Sequence, residues 1–186
     1  MPNWCENNCT IYGSTDKMNE LENVLIGYTE HDRDFFGYYV PVEGDKNVID
    51  VIGQSNVWGT KWEPDIWDWS RDDNVITISM NTAWGPPIQF YEQMEEKYDF
   101  EIEASYYEPG MCFVGYYNGD HFDYAAMDSE EVRSEIPKDL DEMYGISDYL
   151  EEYEEEERLE KEAEEAKKSD FDYDTYNGGV EYFGKK

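Results

Sequence analysis

The chain has 186 residues, with 46 acidic and 14 basic side chains and a formal net charge of −32. This length suits one domain with an appendage, or at most two small domains. No apolar run reaches the roughly 18 to 20 residues of a membrane span, and no secretory leader is recognisable. The shortage of cations argues against direct binding to nucleic-acid phosphates or anionic membranes. Three cysteines, an odd number, favour a reducing cytoplasm over a disulfide framework.

Aromatic side chains are predicted to supply much of the core. Leu, Ile, Val and Phe together make up only 34 of the 186 residues, a share that is typical of disordered chains when the net charge is large. The 6 Trp and 17 Tyr residues change this expectation, because large rings bury the most area per residue. All six tryptophans lie within residues 1–127. We therefore expect this part to fold, and residues 128–186 to be unable to fold alone.

The predicted elements come from apolar alternation for strands and from three- and four-residue apolar spacing for helices. In chain order they are a strand at 8–12, a helix at 14–27, a long connection with strand-like aromatic pieces at 28–47, a strand at 48–52 that residues 57–62 either continue or follow, a strand at 75–81, a helix at 86–98, a strand at 100–106 and a hairpin at 111–124. The hairpin is predicted to turn at Asn118-Gly119 in a type I′ turn.

This order predicts an α+β fold of the ferredoxin-like type. Strand, helix, strand, strand, helix, strand forms one antiparallel βαββαβ sheet with two helices on one face, to which the C-terminal hairpin is added. Residues 1–127 form this domain in our interpretation. Residues 128–168 are predicted to be an acidic, Glu-rich helical extension, and residues 169–186 an acidic-aromatic tail that is either a partner-binding peptide or disordered.

Four short segments within about residues 1–125 carry a family resemblance. They are Met1-Pro2-Asn3-Trp4-Cys5-Glu6-Asn7, Trp58-Gly59-Thr60-Lys61-Trp62, Thr82-Ala83-Trp84-Gly85-Pro86-Pro87 and Glu108-Pro109-Gly110-Met111. In this order they resemble the YubB-like ferredoxin-fold family of phage and plasmid proteins. The resemblance implies a ferredoxin-like domain on a mobile element and no established catalytic activity. It does not extend to the Glu-rich residues after 128.

The same tryptophan-bearing segments contain a candidate pocket for a ligand or partner. Its residues are Trp58, Lys61, Trp62, Thr82, Trp84, Pro86 and Glu108. Trp58 and Trp62, four residues apart, would share one face of an extended segment. Aromatic walls with one cation and one carboxylate suit a flat or anionic ligand, or a partner's contact patch. The alternative is that these rings replace the scarce aliphatic side chains of an ordinary core.

Metal and catalytic motifs are weak in this sequence. The cysteines and the two histidines lack the paired spacing of a zinc site. The best match to a calcium loop is formed by Asp170, Asp172, Asp174 and Glu181. Thr175 replaces the glycine that this loop needs for its sharp turn, and 46 acids make chance matches common. Because nucleotide-binding, nucleophile-elbow and zinc-protease motifs are missing as well, we expect no cofactor, no metal and no enzymatic activity.

The net charge has the clearest physical consequence. Duplex DNA carries about one charge per ~1.7 Å of axis, so a charge of −32 matches roughly 54 Å, or about 16 base pairs. Self-repulsion opposes such a charge, and solubility alone needs a magnitude of only about 2 to 8. The sequence therefore predicts a DNA charge mimic from a mobile element, which inhibits a host defence or DNA-processing complex in the cytoplasm. A charge-biased proteome is the alternative explanation.

Carboxylates on the open face of the sheet, on the helical extension and in the tail are predicted to form the mimic. They are Glu101, Glu103, Asp120 and Asp123, then Glu154, Glu155, Glu156 and Glu157, then Asp170, Asp172 and Asp174. Tyr and Phe side chains would stand in for stacked bases. The expected partner is a basic host protein or nucleoprotein complex that itself binds nucleic acid. The second hypothesis is a small-ligand module in which the tryptophan pocket sequesters an anionic nucleotide.

Overall fold

The computed structural model describes the backbone of residues 3–31, 33–42 and 51–177, and the side chains of 3–31, 33–42 and 53–168. The strands are β1 (Trp4–Tyr12), β2 (Asp65–Asp72), β3 (Val75–Ala83), β4 (Glu101–Glu108), β5 (Phe113–Asn118) and β6 (His121–Ala125). The helices are α1 (Thr15–His31), α2 (Phe36–Tyr39), α3 (Val51–Trp58), α4 (Ile88–Tyr98), α5 (Ser129–Glu135), α6 (Lys138–Tyr144) and α7 (Ile146–Asn177).

The described strands form one antiparallel sheet in the order β2-β3-β1-β4-β5-β6. The succession β1-α1-β2-β3-α4-β4 with strand order β2-β3-β1-β4 is the ferredoxin-like arrangement, so the predicted fold class is confirmed. Strands β5 and β6 extend the sheet beyond β4 as the added hairpin. At its turn Gly119 has a φ of 69°, but Asn118 is not among the described residues with positive φ. The turn is therefore not the predicted type I′, which needs both.

The prediction of the second strand is wrong. Residues 51–58 form the helix α3 rather than a strand, and residues 48–50 lie outside the described residues. The second strand of the fold is β2, which is polar because it lies at the sheet edge. A register shift between Ile66 and Asp68 lets Ile66 and Trp69, three residues apart, both pack against the core. This bulge breaks the alternation by which strands are recognised in a sequence.

The predicted connection at 28–47 also contains helical structure. Helix α1 continues to His31, and α2 forms where strand-like aromatic pieces were expected. The Glu63 carboxylate, just before β2, accepts hydrogen bonds from the backbone N–H groups of Phe35 (3.1 Å), Phe36 (2.7 Å) and Gly37 (2.7 Å). It thereby satisfies the free donors at the start of α2 and ties this turn to the sheet.

Helices α1 and α4 cover one face of the sheet, called here the inner face. Alternate residues of β1, including Cys9 and Ile11, are buried there against α1 and α4. Aromatic rings dominate this core, as predicted: Phe36 packs 4.2 Å from Phe90 between ring centroids, and Tyr91 packs 5.3 Å from Tyr117. Rings thus fill the space that few aliphatic side chains are available to fill.

The opposite, outer face is partly covered by the helices that follow residue 128. Val132, Leu140, Ile146 and Leu150 of α5, α6 and the start of α7 form a second buried cluster with Tyr107 and Val114 of the sheet. The Tyr144 hydroxyl lies 2.9 Å from the Ser105 hydroxyl and 3.4 Å from the Asn8 amide nitrogen. The first part of the extension is therefore held by the sheet, whereas the predicted domain boundaries at 127 and 168 stay a prediction.

Two leucines of α7 separate the docked part of this helix from its exposed part. Leu150 is 9% exposed within the second cluster, and Leu159 is 51% exposed. We expect Leu150→Ala to lower the free energy of unfolding by about 2–4 kcal/mol, because it leaves a cavity against the sheet. The matched Leu159→Ala should change it by less than about 0.5 kcal/mol. Urea unfolding followed by tryptophan fluorescence measures both, and equal effects would contradict docking of the helix.

Candidate functional site

The exposed part of α7 carries a dense run of acidic side chains. Every side chain from residue 151 to 168 is exposed. Residues 148–157 contain seven acidic side chains and no basic one. Since ten helical residues rise about 15 Å, the charge density here is about one per ~2 Å, close to the ~1.7 Å of duplex DNA.

Three of the four predicted glutamates of α7 have internal partners. Glu154 accepts hydrogen bonds from the backbone N–H and the hydroxyl of Ser129, both at 2.8 Å, and so caps α5. Glu155 pairs with Arg158 at 2.6 Å, and Glu157 pairs with Lys161 at 3.0 Å. The hydrogen bond from Lys161 lowers the pKa of Glu157. These carboxylates therefore stabilise the helices through capping and ion pairs, and they also contribute to the negative potential around α7.

A stripe of unpaired glutamates runs beside them. Glu152, Glu156 and Glu160 make no hydrogen bond or ion pair with any described side chain. Their spacing of four residues places them on one helix face, about 6 Å apart along the axis. We call these three residues the acidic stripe. Of the carboxylates predicted for the mimic, only Glu156 belongs to it.

The four predicted carboxylates of the sheet do not form one array. Glu101 and Glu103 are exposed on the outer face, where Glu103 accepts a hydrogen bond from the Tyr12 hydroxyl at 3.2 Å. Asp120 lies in the turn between β5 and β6. Asp123 instead projects from the inner face, where it accepts a hydrogen bond from Tyr106 at 2.7 Å. The expectation that Asp123 shares the open face is therefore corrected, because in β6 its alternate neighbours take that face.

The first eight residues of the predicted calcium loop, 170–177, lie on the helical backbone of α7. Residues 170–174 belong to α7, and the side chains of Asp170, Asp172 and Asp174, like the whole of Glu181, lie outside the described residues. Within the described side chains, no three His, Cys, Asp or Glu residues are grouped as metal ligands.

The tryptophans predicted as one pocket are divided between the core and the surface. Trp58 is 3% exposed, packs 5.6 Å from Phe36 between centroids and donates its indole N–H to the Val40 carbonyl at 2.7 Å. Trp84 is 42% exposed, and the Lys61 ammonium lies 4.5 Å from its ring centroid. Trp58 and Trp62 do not share a strand face, because α3 ends at Trp58.

The polar residues of this predicted pocket hold turns in place. Thr82 is buried, accepts a hydrogen bond from the Asn7 amide at 2.8 Å and donates one to the Gly85 carbonyl at 2.8 Å, next to the half-buried Pro86. Glu108 is buried and accepts hydrogen bonds from the backbone N–H groups of Gly110, at 3.1 Å, and Met111. The hydrogen bonds of Thr82 and Glu108 are made to neighbouring protein groups rather than directed towards a ligand. These bonds explain why the motifs contain a threonine and a glutamate.

A pocket that the sequence pattern does not predict opens on the outer face near the end of β4. It is lined by Trp4, Glu6, Asn81, Tyr107, Pro109, Tyr144 and Tyr149. Trp4 and Glu6 could have been found, because they alternate with buried Cys5 along β1 and thus share a face. Tyr144 and Tyr149 could not, because their position depends on how the extension docks. We call this site the aromatic pocket.

The comparisons with known proteins assign the family. A family model described as the ferredoxin-like domain in Api92-like protein matches residues 58–177, well over half of the chain. The chain belongs to this Api92-like family. The match includes α5, α6 and α7, so the Api92-like domain takes in the helices that the YubB-like resemblance left out.

The chain also resembles a solved structure. The crystal structure of a protein api92 from Yersinia pseudotuberculosis is similar at a TM-score of 0.44 and 12% identity, covering 67% of this chain and 99% of that chain. No curated protein matches the present chain. Separately, none of the helices in the described ranges combines the length and the apolar character of a membrane span.

The three cysteines are predicted to differ in reactivity. Cys5 and Cys9 are buried, and burial raises the pKa of the Cys9 thiol to about 12 and that of Cys5 further still. Since only the thiolate reacts, both should be inert at pH 8. Cys112 is partly exposed and should react alone. Titration of the native protein with a thiol reagent should therefore show one fast thiol, lost in Cys112→Ser, and two more after denaturation. Two fast thiols in the native protein would contradict the buried positions.

Proposed function

We propose that this protein is a non-enzymatic inhibitor encoded by a phage or plasmid. It acts in the host cytoplasm by occupying a basic nucleic-acid channel of a defence or DNA-processing complex, in which its carboxylates replace phosphates. The observation that carries the proposal is the acidic stripe of Glu152, Glu156 and Glu160. These three exposed carboxylates lie on one helix face, and none of them is paired with a cation among the described residues.

Folding gives no reason for this stripe. Like charges four residues apart destabilise a helix by about 0.2–0.5 kcal/mol per pair, whereas glutamine has a similar helix propensity and no charge. The same helix uses Glu157 with Lys161, and Glu164 with Lys168, at the spacing that stabilises it. The chain thus has cations available for pairing, and the stripe retains its repulsion. A binding role for the carboxylates accounts for that cost.

The net charge of −32 supports the same proposal at longer range. A potential of this sign attracts a basic cleft during diffusion and accelerates association at low salt. The partner is therefore a basic, nucleic-acid-binding host protein or nucleoprotein complex. The proposed mobile-element origin rests on the YubB-like resemblance of the four motifs.

A nucleotide-sequestering pocket at the tryptophans has less support. Trp58 belongs to the core, and the Lys61 ammonium, the cation expected to meet an anionic ligand, already lies over the Trp84 ring. A nucleotide would have to replace that cation–π contact.

Capture of host proteins on the immobilised chain tests the charge-mimic proposal. We expect captured proteins to be nucleic-acid-binding and to elute below about 0.5 M salt, because exposed ionic contacts are screened. The triple variant E152Q/E156Q/E160Q should lose most of this capture. A labelled duplex of about 16 base pairs, bound to the purified captured complex, should be displaced by the wild-type protein and less by the variant.

A control variant with the same change in charge is E30Q/E92Q/E96Q, at exposed glutamates of α1 and α4. It should capture partners as the wild type does. The stripe variant should unfold at an equal or higher temperature, since it removes repulsion without removing a contact. Equal capture by both variants, or partners that remain bound above about 0.5 M salt, would contradict charge mimicry.

A further inference from the structure

The floor of the aromatic pocket is a row of three side chains across the sheet. Glu6 of β1 pairs with Asn81 of β3 on one side and with Tyr107 of β4 on the other. All three project from the outer face and line a cavity of about 390 Å³, a size that accommodates a small ligand or one long side chain.

The walls of the pocket are aromatic and come from four elements, β1, β4, α6 and α7. Tyr107 and Tyr144 pack with 5.8 Å between ring centroids, so the docked helices fix one wall. Trp4 forms another wall and is held by an edge contact with Trp62 at 6.5 Å. Tyr149, from the first turn of α7, is 56% exposed at the entrance. The rings that line the cavity therefore come both from the sheet and from the docked helices.

Glu6 is the single charged side chain among the described residues that line this pocket. Burial raises the pKa of both Tyr107 and Tyr144 to about 12, so both phenols are neutral at physiological pH. In the described ranges, no Lys, Arg or His lies within salt-bridge distance of Glu6. This carboxylate therefore shares a pocket with four aromatic side chains and one amide, and has no counter-ion among the described residues.

We propose that the aromatic pocket binds a guanidinium group, supplied by an arginine side chain of a partner protein. A guanidinium is planar, so it stacks on aromatic faces, and its fork of N–H donors matches a carboxylate and an amide oxygen. Glu6 would accept the charged hydrogen bonds, Asn81 a further one, and Trp4 with the tyrosines would stack on the plane. A quaternary ammonium would use the rings but would leave the carboxylate and the amide without donors.

The choice of a protein as the source of the guanidinium rests on the proposed function. A basic partner drawn to the acidic stripe carries exposed arginines, and the start of α7 contributes both Tyr149 to the pocket and the first acids of the helix. The pocket would then supply a stacked, specific contact beside the less specific contacts of the stripe.

Titration of the full chain with N-acetyl-arginine amide tests the pocket by NMR of the indole N–H groups. The Trp4 signal, identified by its loss in Trp4→Phe, should shift saturably, whereas the buried Trp58 signal should not. The neutral isostere N-acetyl-citrulline amide should bind at least about tenfold more weakly, since it lacks the charge. Glu6→Gln should weaken the arginine amide at least about fivefold, and Glu103→Gln, on the same face of the sheet, should not.

Each alternative outcome overturns a defined part of the inference. Equal binding of the citrulline amide, or Glu6→Gln binding as the wild type does, overturns the guanidinium site. Tighter binding of tetramethylammonium assigns the pocket to a quaternary ammonium instead. If Glu6→Gln captures host proteins as the wild type does, while the wild type still binds the arginine amide, the partner protein is not the source of the guanidinium group. Failure of the stripe variant to lose capture overturns the proposed function alone, because the amide titration does not involve the stripe.

Discussion

Docking of the C-terminal helices on the outer face of the sheet is the constraint on which the rest of this structure depends. Tyr107 and Val114 present apolar surface on that face, and Leu140, Ile146 and Leu150 cover it. Burial of this cluster gives residues 129–150 a reason to be ordered, although this segment is too acidic to form a core by itself. It also fixes where α7 begins, and so where the charged helix meets the sheet.

The same packing joins the aromatic pocket to the helix that carries the acidic stripe. Tyr144 completes the pocket wall only because α6 lies on the sheet, and Tyr149 follows it at the start of α7. Beyond Glu154, the hydrogen bonds and ion pairs of the described part of α7 join residues of α7 only. The aromatic pocket and the charged helix thus follow one another along the chain, as expected if the proposed basic partner is first attracted by charge and then held in one orientation.

The ferredoxin-like order could be predicted because β1, β3, β4 and the helices α1 and α4 each bury one regular side. The second strand could not be predicted, because a bulge between Ile66 and Asp68 places the two core-facing residues, Ile66 and Trp69, three positions apart. Strand register could not be predicted either. Whether Asp123 lies on the outer or the inner face depends on its pairing with Gly115, which no local sequence pattern encodes. Of the candidate site, the acidic helix was predictable from composition, whereas the aromatic pocket required knowing which tyrosines the tertiary structure brings to Glu6.

The length of α7 has one more consequence. Its 32 residues span about 48 Å, and from Glu155 onward the described part has only its own backbone and a few ion pairs to keep it helical. Cations that bind to this segment reduce the repulsion between its carboxylates. They therefore favour the helical over the unfolded conformation of the segment. Helix content and cation binding are then thermodynamically linked, and a circular dichroism signal that grows when multivalent cations are added would record association without any label.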